Sequence, residues 1–400
     1  MITSRSIFLV FLLTPILAFS QYSGSGSVSQ GSATIVSTNI YAGCAGSRVS
    51  GVGTIISTDG KSWTVPSATQ FLSGSYLPDL YNQCNGVIPS SISAVNLATV
   101  PVTTIDASGS IITAYLFGDN YFELYINGIL VGVDPVPFTP FNSCVVKFKV
   151  SYPYTIALKL VDCEENLGLG TELNSANPYH SGDGGFIASF SDGTITNGSW
   201  KAQTYYIAPV QNLNTIIELS DSTRSSATAV TSTSCNVNCY AIHYTLPSGW
   251  QTTSFNDTHW PNASLYSPTT VGVSSISAYS NFPSIWSTAQ FIWSSNLILD
   301  NEVLLRKTVT SPTAVIDNNF IHSDVEIFPN PTSDQFQLNF NKTNSNDQIK
   351  KISIYNLLGE KIFETTQYKD NIVFGNIRSG IYSLIISFEN YQITKKLIIQ

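Results

Sequence analysis

Charge is scarce in this chain of 400 residues: only 11% are Asp, Glu, Lys or Arg, against about a quarter in ordinary soluble domains. Basic residues are the scarcer kind, 18 against 26 acidic ones, for a formal charge of −8. Residues 324–400 hold eight of each sign, so the whole imbalance lies upstream. Between residues 21 and 323 only nine basic residues occur, adjacent only at Arg306-Lys307. A surface this poor in cations cannot neutralise a phosphate backbone, which argues against nucleic acid as a partner. An anionic membrane surface is disfavoured for the same reason. The chain has one Met and four His, and no long stretch repeats its apolar residues with a helical period. With 12% aromatics and many β-branched residues, that points to an all-β protein. No G-x-S-x-G elbow, H-E-x-x-H helix or Gly-rich phosphate loop occurs, so the motifs of serine hydrolases, zinc proteases and nucleotide-binding enzymes are missing. No apolar run is long enough for a membrane helix, which needs about 20 residues.

The apolar run that does occur belongs to the start. Arg5 precedes residues 7–17, which are interrupted by Pro15, and Ala18-Phe19-Ser20 puts small residues at −3 and −1. Residues 1–20 therefore read as a secretory signal peptide cleaved before Gln21. All six cysteines follow it, and an even number in an exported chain favours disulfides. Residues 145–150 and 155–162 read as strands joined by Ser151-Tyr152-Pro153-Tyr154. If that loop closes a hairpin, Cys144 and Cys163 meet across its open end. Cys235 and Cys239 are close enough to pin a loop, and Cys44 and Cys84 pair by elimination. Zinc at Cys235 and Cys239 is the disfavoured alternative, since His243 is the one extra ligand nearby and the compartment is oxidising.

The tail carries several ordered motifs. Phe328-Pro329-Asn330-Pro331-Thr332 makes an extended entry and a turn, because two prolines in three residues fit neither a helix nor a central strand. Phe336, Leu338 and Phe340 alternate with polar residues, and Ile352 and Ile354 repeat the period. Leu357-Leu358-Gly359-Glu360 turns into Lys361-Ile362-Phe363, Ser379-Gly380-Ile381-Tyr382 opens another strand, and Lys395-Lys396-Leu397-Ile398-Ile399-Gln400 ends the chain. This series resembles the type A C-terminal sorting domain of the type IX secretion system of Bacteroidota, over about residues 326–400. The resemblance implies a small immunoglobulin-like β-sandwich over 324–400, export through the type IX machinery by way of the periplasm, and a protein released or held at the outer cell surface. No transmembrane segment is expected in the mature protein.

In the body, Asp119-Asn120 leads into Tyr121-Phe122-Glu123-Leu124-Tyr125-Ile126, whose alternate residues face two sides. Asn127-Gly128 is the preferred type I′ hairpin dipeptide, returning through residues 129–133. Further on come Ser191-Asp192-Gly193-Thr194 with Ser199-Trp200-Lys201, then Gly249-Trp250 and Phe255-Asn256-Asp257-Thr258-His259-Trp260. Ala289-Gln290-Phe291-Ile292-Trp293 and Val303-Leu304-Leu305-Arg306-Lys307 close the series. The set, over about 100–310, resembles the galactose-binding-like jelly roll attached to many bacterial carbohydrate-active proteins. It departs from that family in having Asn256 at a common Asp position and no catalytic barrel after it. Trp200, Trp250, Trp260 and Trp293 read as core and corner residues rather than sugar platforms. Asn256 and Asp257 shape a turn, and Arg306 pairs with a carboxylate at the sandwich edge. The resemblance implies a jelly-roll β-sandwich preceded by a β extension over 21–99, which opens on a Ser/Gly tract. Residues 311–323 read as a linker.

Ligand candidates come from the least strand-like part of the body. Asp162, Glu164 and Glu165 stand together before a loop holding Tyr179, His180 and Asp183. Three acids in four residues can bind calcium, with Asp162 and Glu164 as the ligands. They can also accept sugar hydroxyls beside the Tyr179 ring, or form a solvated loop edge. If the strand continues, Glu164 and Glu165 point to opposite sides. The leading expectation is non-catalytic glycan binding, the word glycan resting on the resemblance alone. A polysaccharide-active hydrolase using the loop carboxylates and a surface adhesion or scaffold module are the alternatives.

Overall fold

The computed structural model describes residues 22–173, 177–231, 235–310, 325–340, 349–356, 359–367, 371–388 and 392–400. Residues 1–20, expected as a signal peptide, residues 311–323, expected as a linker, part of the 174–185 segment and Leu357-Leu358 lie outside those residues. The protein is nearly all β; among the described residues the α-helices are the short Ser277–Ser280 and Pro283–Trp286, beside a few 3₁₀ turns. Two antiparallel sheets form the body. In one, the spatial order is Ser27–Gln30, Tyr240–His243, Lys201–Val210, Asp300–Val309, Tyr154–Val161, Tyr121–Ile126 and Ile129–Val133. In the other it is Ser264–Tyr266, Phe291–Trp293, Gly185–Phe190, Ser110–Asp119, Ser143–Val150 and Asp79–Tyr81. Val102–Thr104 lies parallel beside Ser143–Val150.

The chain repeatedly crosses between these sheets, and their inward faces make one core. Phe122, Leu124, Leu158, Leu160, Leu116, Phe148, Phe186 and Trp200 are all in it. Asn127 and Gly128 sit at φ 52° and 84°, the left-handed pair that a type I′ turn requires. Trp200, Trp250, Trp260 and Trp293 are 0, 7, 7 and 1% exposed, and the Trp200 indole N–H reaches the Ile195 carbonyl at 2.8 Å. All four are structural residues.

The segment 151–153 is an arch rather than a hairpin loop. Ser143–Val150 pairs with Ser110–Asp119 in one sheet, whereas Tyr154–Val161 pairs with Asp300–Val309 and Tyr121–Ile126 in the other. Cys144 and Cys163 are therefore carried to different sheets, and both are buried free thiols. That corrects the expected Cys144–Cys163 disulfide: two adjacent strands look the same in sequence whether they pair or face each other. Cys44–Cys84 and Cys235–Cys239 are bonded, which takes both thiolates from the zinc alternative. Native protein is thus expected to show no reactive thiol, and denatured, unreduced protein two per chain, by Ellman titration. Zero thiols in denaturant would restore the third disulfide.

The N-terminal extension supplies outer strands of the body. Ser27–Gln30 extends one sheet beside Tyr240–His243, and Asp79–Tyr81 extends the other beside Ser143–Val150. Thr34–Tyr41, Ser50–Ile56 and Ser62–Val65 form a sheet of their own. Residues 67–70 seal charges on the outer sheet face. Lys159 Nζ donates to the Ala68 carbonyl at 2.6 Å and stands 3.6 Å from Glu302, and the Gln70 N–H donates to Glu123 at 2.6 Å. Tyr154–Val161 is consequently buried at all eight positions.

The tail has a separate core of Phe336, Leu338, Ile352, Ile354, Leu384 and Leu397, among others. Its sheets are Val325–Phe328, Gln335–Phe340, Ile372–Val373 and Lys361–Thr365, Lys351–Tyr355, Gly380–Ser387, Gln392–Ile399. Asn330 explains why its motif and the chain end belong together. The Asn330 side chain donates to the Lys396 carbonyl at 2.8 Å and accepts from the Ile398 N–H at 2.9 Å.

Candidate functional site

At one end of the sandwich the 161–185 connection meets the Asp119-Asn120 corner, and acidic side chains gather there. Asn120 fixes the corner: its amide donates to Asp119 Oδ1 at 2.8 Å and its carbonyl oxygen accepts the Cys163 N–H at 2.7 Å. Asp162 sits beside Asn301, to whose carbonyl its N–H donates at 2.9 Å. A Cβ on Gly182 would stand 3.0 and 3.1 Å from the Asp162 carboxylate oxygens and 3.1 Å from Glu172 Oε1. Asp162 and Glu172 therefore face one point, which a glycine leaves open.

The loop itself is tied down by polar contacts. The Asn166 amide donates to the Pro178 carbonyl at 2.8 Å and to Thr171 Oγ1 at 3.0 Å. The Glu172 N–H donates to the His180 carbonyl at 2.6 Å. Arg48 reaches in from the N-terminal extension, donating to both Glu165 oxygens at 3.0 and 2.6 Å and to Glu172 at 2.8 Å. Its guanidinium also lies 4.3 Å from the Phe138 ring centre.

Electrostatics divide the acids. Burial, then the neighbouring Asp183 and Glu172, pushes the Asp119 carboxyl well above its ordinary range. Burial and the adjacent Asp119 and Glu172 do the same to Asp162. Asp183, half-buried, is pushed up to about 6 by burial and then by Glu172. Burial also raises Glu165, but the Arg48 bonds and the Leu173 N–H outweigh it and hold that carboxyl below its usual range. Glu164 is raised to about 7 by burial, against bonds from the Gly168 N–H and the Tyr206 hydroxyl.

Of the residues expected from sequence, the structure brings Asp162 and Asp183 into the acidic cluster. Glu165 lies beside it on Arg48. Glu164 turns the other way, accepting from Gly168 at 2.8 Å and Tyr206 at 3.0 Å. Tyr179 and His180 are half-buried on the surrounding loop, with His180 Nδ1 2.7 Å from the Ser181 carbonyl. Sequence reasoning missed Asp119, Glu172, Asn301 and Arg48 as members of this end. Asp119-Asn120 was visible only as the opening of a hairpin, and Arg48 carried no local signal.

Two concavities lie elsewhere. One, of about 350 Å³, is lined by Tyr266, Ser267, Tyr279, Gln290 and Phe291 among others. The other, of about 530 Å³, lies under the short 3₁₀ turns, lined by Asp79, Ile88, Pro89, Val95, Val100 and neighbours.

Comparison with known proteins locates one part of the chain firmly. Residues 326–400 match the secretion system C-terminal sorting domain. An endo-acting ulvan lyase of Formosa agariphila is 29% identical over 105 residues. That match spans 25% of this chain and 20% of the lyase. Two solved structures of a Pleurotus ostreatus lectin, one in complex with GalNAc and one apo, are 12 and 11% identical, with TM-scores of 0.20 and 0.18. Both cover 94% of this chain, and 86 and 85% of their own; at those scores the likeness carries no argument. Among the described residues no helix is long and apolar enough to cross a membrane. The last 75 residues are a type IX secretion sorting domain, which sends this protein to the outer surface or the extracellular space.

Proposed function

We propose that this exported protein binds a carbohydrate, without catalysis, at the loop end that carries Glu165, Tyr179, His180 and Asp183. The observation that carries the reading is preorganisation. The Asn166 and Glu172 bonds fix the backbone at Pro178 and His180, and Arg48 fixes the Glu165 side chain before any ligand arrives, so little loop entropy remains to be lost on binding. Sugar hydroxyls need fixed acceptors beside an aromatic ring, and this loop presents both. The partial likeness to an endo-acting ulvan lyase agrees with it. In this reading residues 100–310 are a galactose-binding-like jelly roll, residues 1–20 a signal peptide and 311–323 a linker.

One observation favours a second reading, hydrolysis of a polysaccharide. Asp183 is pushed up to about 6 while Glu165 is held low, the divergence that separates an acid from a base. Binding of the purified chain to an array of neutral, acidic and sulfated polysaccharides, with reducing ends assayed in parallel, distinguishes the two. Specific retention without new reducing ends is the expected outcome. A blank array would remove carbohydrate binding and leave an adhesion or scaffold module.

A further inference from the structure

The 164–183 loop end holds one base, Arg48, and that base is already engaged. Its Nε and Nη2 take both Glu165 oxygens, and Nη2 also donates to Glu172. Two carboxylates thus stand against one guanidinium, whose side chain is still 27% exposed. Asp119, Asp162 and Asp183, at the same end, have no salt-bridge partner among the described residues. Of the nine bases in residues 21–323, the other eight are engaged elsewhere. Lys159, Arg224 and Arg306 are buried. Lys147, Lys149 and Lys201 donate to the Leu97, Ala107 and Trp260 carbonyls at 2.6, 2.7 and 3.0 Å. Lys61 pairs with Asp59, and Lys307 donates to Ser199 Oγ at 2.8 Å. A sulfate or uronate brought to the loop end would meet carboxylates and no uncompensated cation. Like charges placed together weaken binding and slow encounter.

We propose that Glu165 and Glu172 set the charge class of the ligand: by neutralising Arg48 they exclude polyanionic glycans and reserve the site for uncharged ones. The inference rests on the carbohydrate reading above and names the substrate class within it. A planar guanidinium takes a carboxylate or sulfate through two parallel hydrogen bonds, so an unmasked Arg48 would favour acidic polysaccharides. Glu165 fills that fork from within the protein, and Glu172 adds a second negative charge. Phe138 packs against the same guanidinium. Uncharged hydroxyls, by contrast, can donate to the half-buried Asp183 and to the free lone pairs of Glu165 without displacing Arg48. Placing unfavourable charge against the wrong ligand is one of the two general routes to specificity.

The test is biolayer interferometry of the full chain at about pH 8, where an ordinary histidine is uncharged. The immobilised probes are galactomannan, starch and arabinoxylan on one side, and alginate, polygalacturonate and dextran sulfate on the other. Wild type should bind a neutral probe, with an apparent Kd that changes less than ~2-fold between low and high salt. Any polyanion binding by wild type should survive Tyr179→Ala, because the eight bases of the tail and not this site would cause it. The double variant Glu165→Gln/Glu172→Gln keeps the size of both side chains and leaves Arg48 unbalanced. It should gain at least ~5-fold in polyanion affinity at low salt, a gain lost in high salt and on adding Arg48→Gln. A folded double variant without that gain overturns the inference. So does wild-type polyanion binding that Tyr179→Ala removes, which would leave carbohydrate binding itself standing. Should the double variant fail to fold, Glu172→Gln alone carries the same comparison. No binding to any probe by any variant removes both this inference and the carbohydrate reading.

Discussion

Arg306→Met is expected to destabilise the body by about 3–5 kcal/mol, the range for breaking a buried charge pair from one side. Arg306 is 1% exposed, and each nitrogen of its fork donates a hydrogen bond. Nε donates to Asp257 Oδ2 at 2.8 Å, Nη1 to the Trp250 carbonyl, and Nη2 to the Thr252 carbonyl at 3.1 Å. The Phe255 ring lies 5.2 Å from the guanidinium carbon. One side chain thus fastens the whole 250–257 loop to the Asp300–Val309 strand. Methionine fills much of the same volume but leaves those carbonyls and Asp257 without their donor. Asp257→Asn should cost much less, because that side chain is 23% exposed and water can replace part of the pair. Urea unfolding, with tryptophan emission reporting Trp250 and Trp260, measures both. Equal small losses in the two variants would show that the loop is held by packing alone.

The second large effect is an acid-side loss of stability set by His243. The imidazole is stacked between Trp63 and Tyr206, with ring centres at 5.3 and 5.1 Å, and Nε2 lies 2.7 Å from Ser29 Oγ. Burial pushes its pKa from 6.5 down to about 4, against a smaller upward pull from Asp59. A histidine depressed in the folded state is neutral there and charges first in the unfolded chain. Its stabilising contribution is therefore present above pH 6.5 and disappears as pH falls toward 4, by about 3 kcal/mol in all. The buried carboxyls raised by burial, Glu164 and Asp300 among them, have the opposite sign: their contribution is largest at low pH and is lost as pH rises toward 7. His243→Phe keeps an aromatic ring in the stack and removes the titration together with the Ser29 bond, whose loss lowers stability on the neutral side. The stability gap between wild type and His243→Phe should shift by about 3 kcal/mol between pH 7.5 and 4. A gap independent of pH would mean that the ring is protonated in place.

What the sequence made legible was local. The Asn127-Gly128 hairpin, the Asn256-Asp257 turn and the Arg306 pairing follow from chemistry written within a few residues, and all are present. The tail was legible because its motifs are specific and contiguous. Pairing across long separations was not. Strands on either side of Tyr152-Pro153 read the same as a hairpin or as an arch between sheets, so Cys144 and Cys163 were joined in expectation and are apart in the fold. The acidic end was half legible. Asp162 and Asp183 announced themselves by clustering near loop residues, while Asp119, Glu172 and Asn301 come from separate elements and meet only through topology. Glu164 and Glu165 point apart, one to Tyr206 and one to Arg48, although the strand whose alternation would separate them ends at Val161.

Where the ligand binds is the point on which the functional account rests. Affinity electrophoresis of the full chain through gels containing each polysaccharide retained on the array compares wild type, Tyr179→Ala and Tyr266→Ala. Loss of retardation by at least ~10-fold in Tyr179→Ala, with Tyr266→Ala unchanged, is the result predicted for a site on the 164–183 loop end. Retardation that survives Tyr179→Ala and is lost in Tyr266→Ala would contradict it and move the site to the cleft lined by Tyr266 and Tyr279.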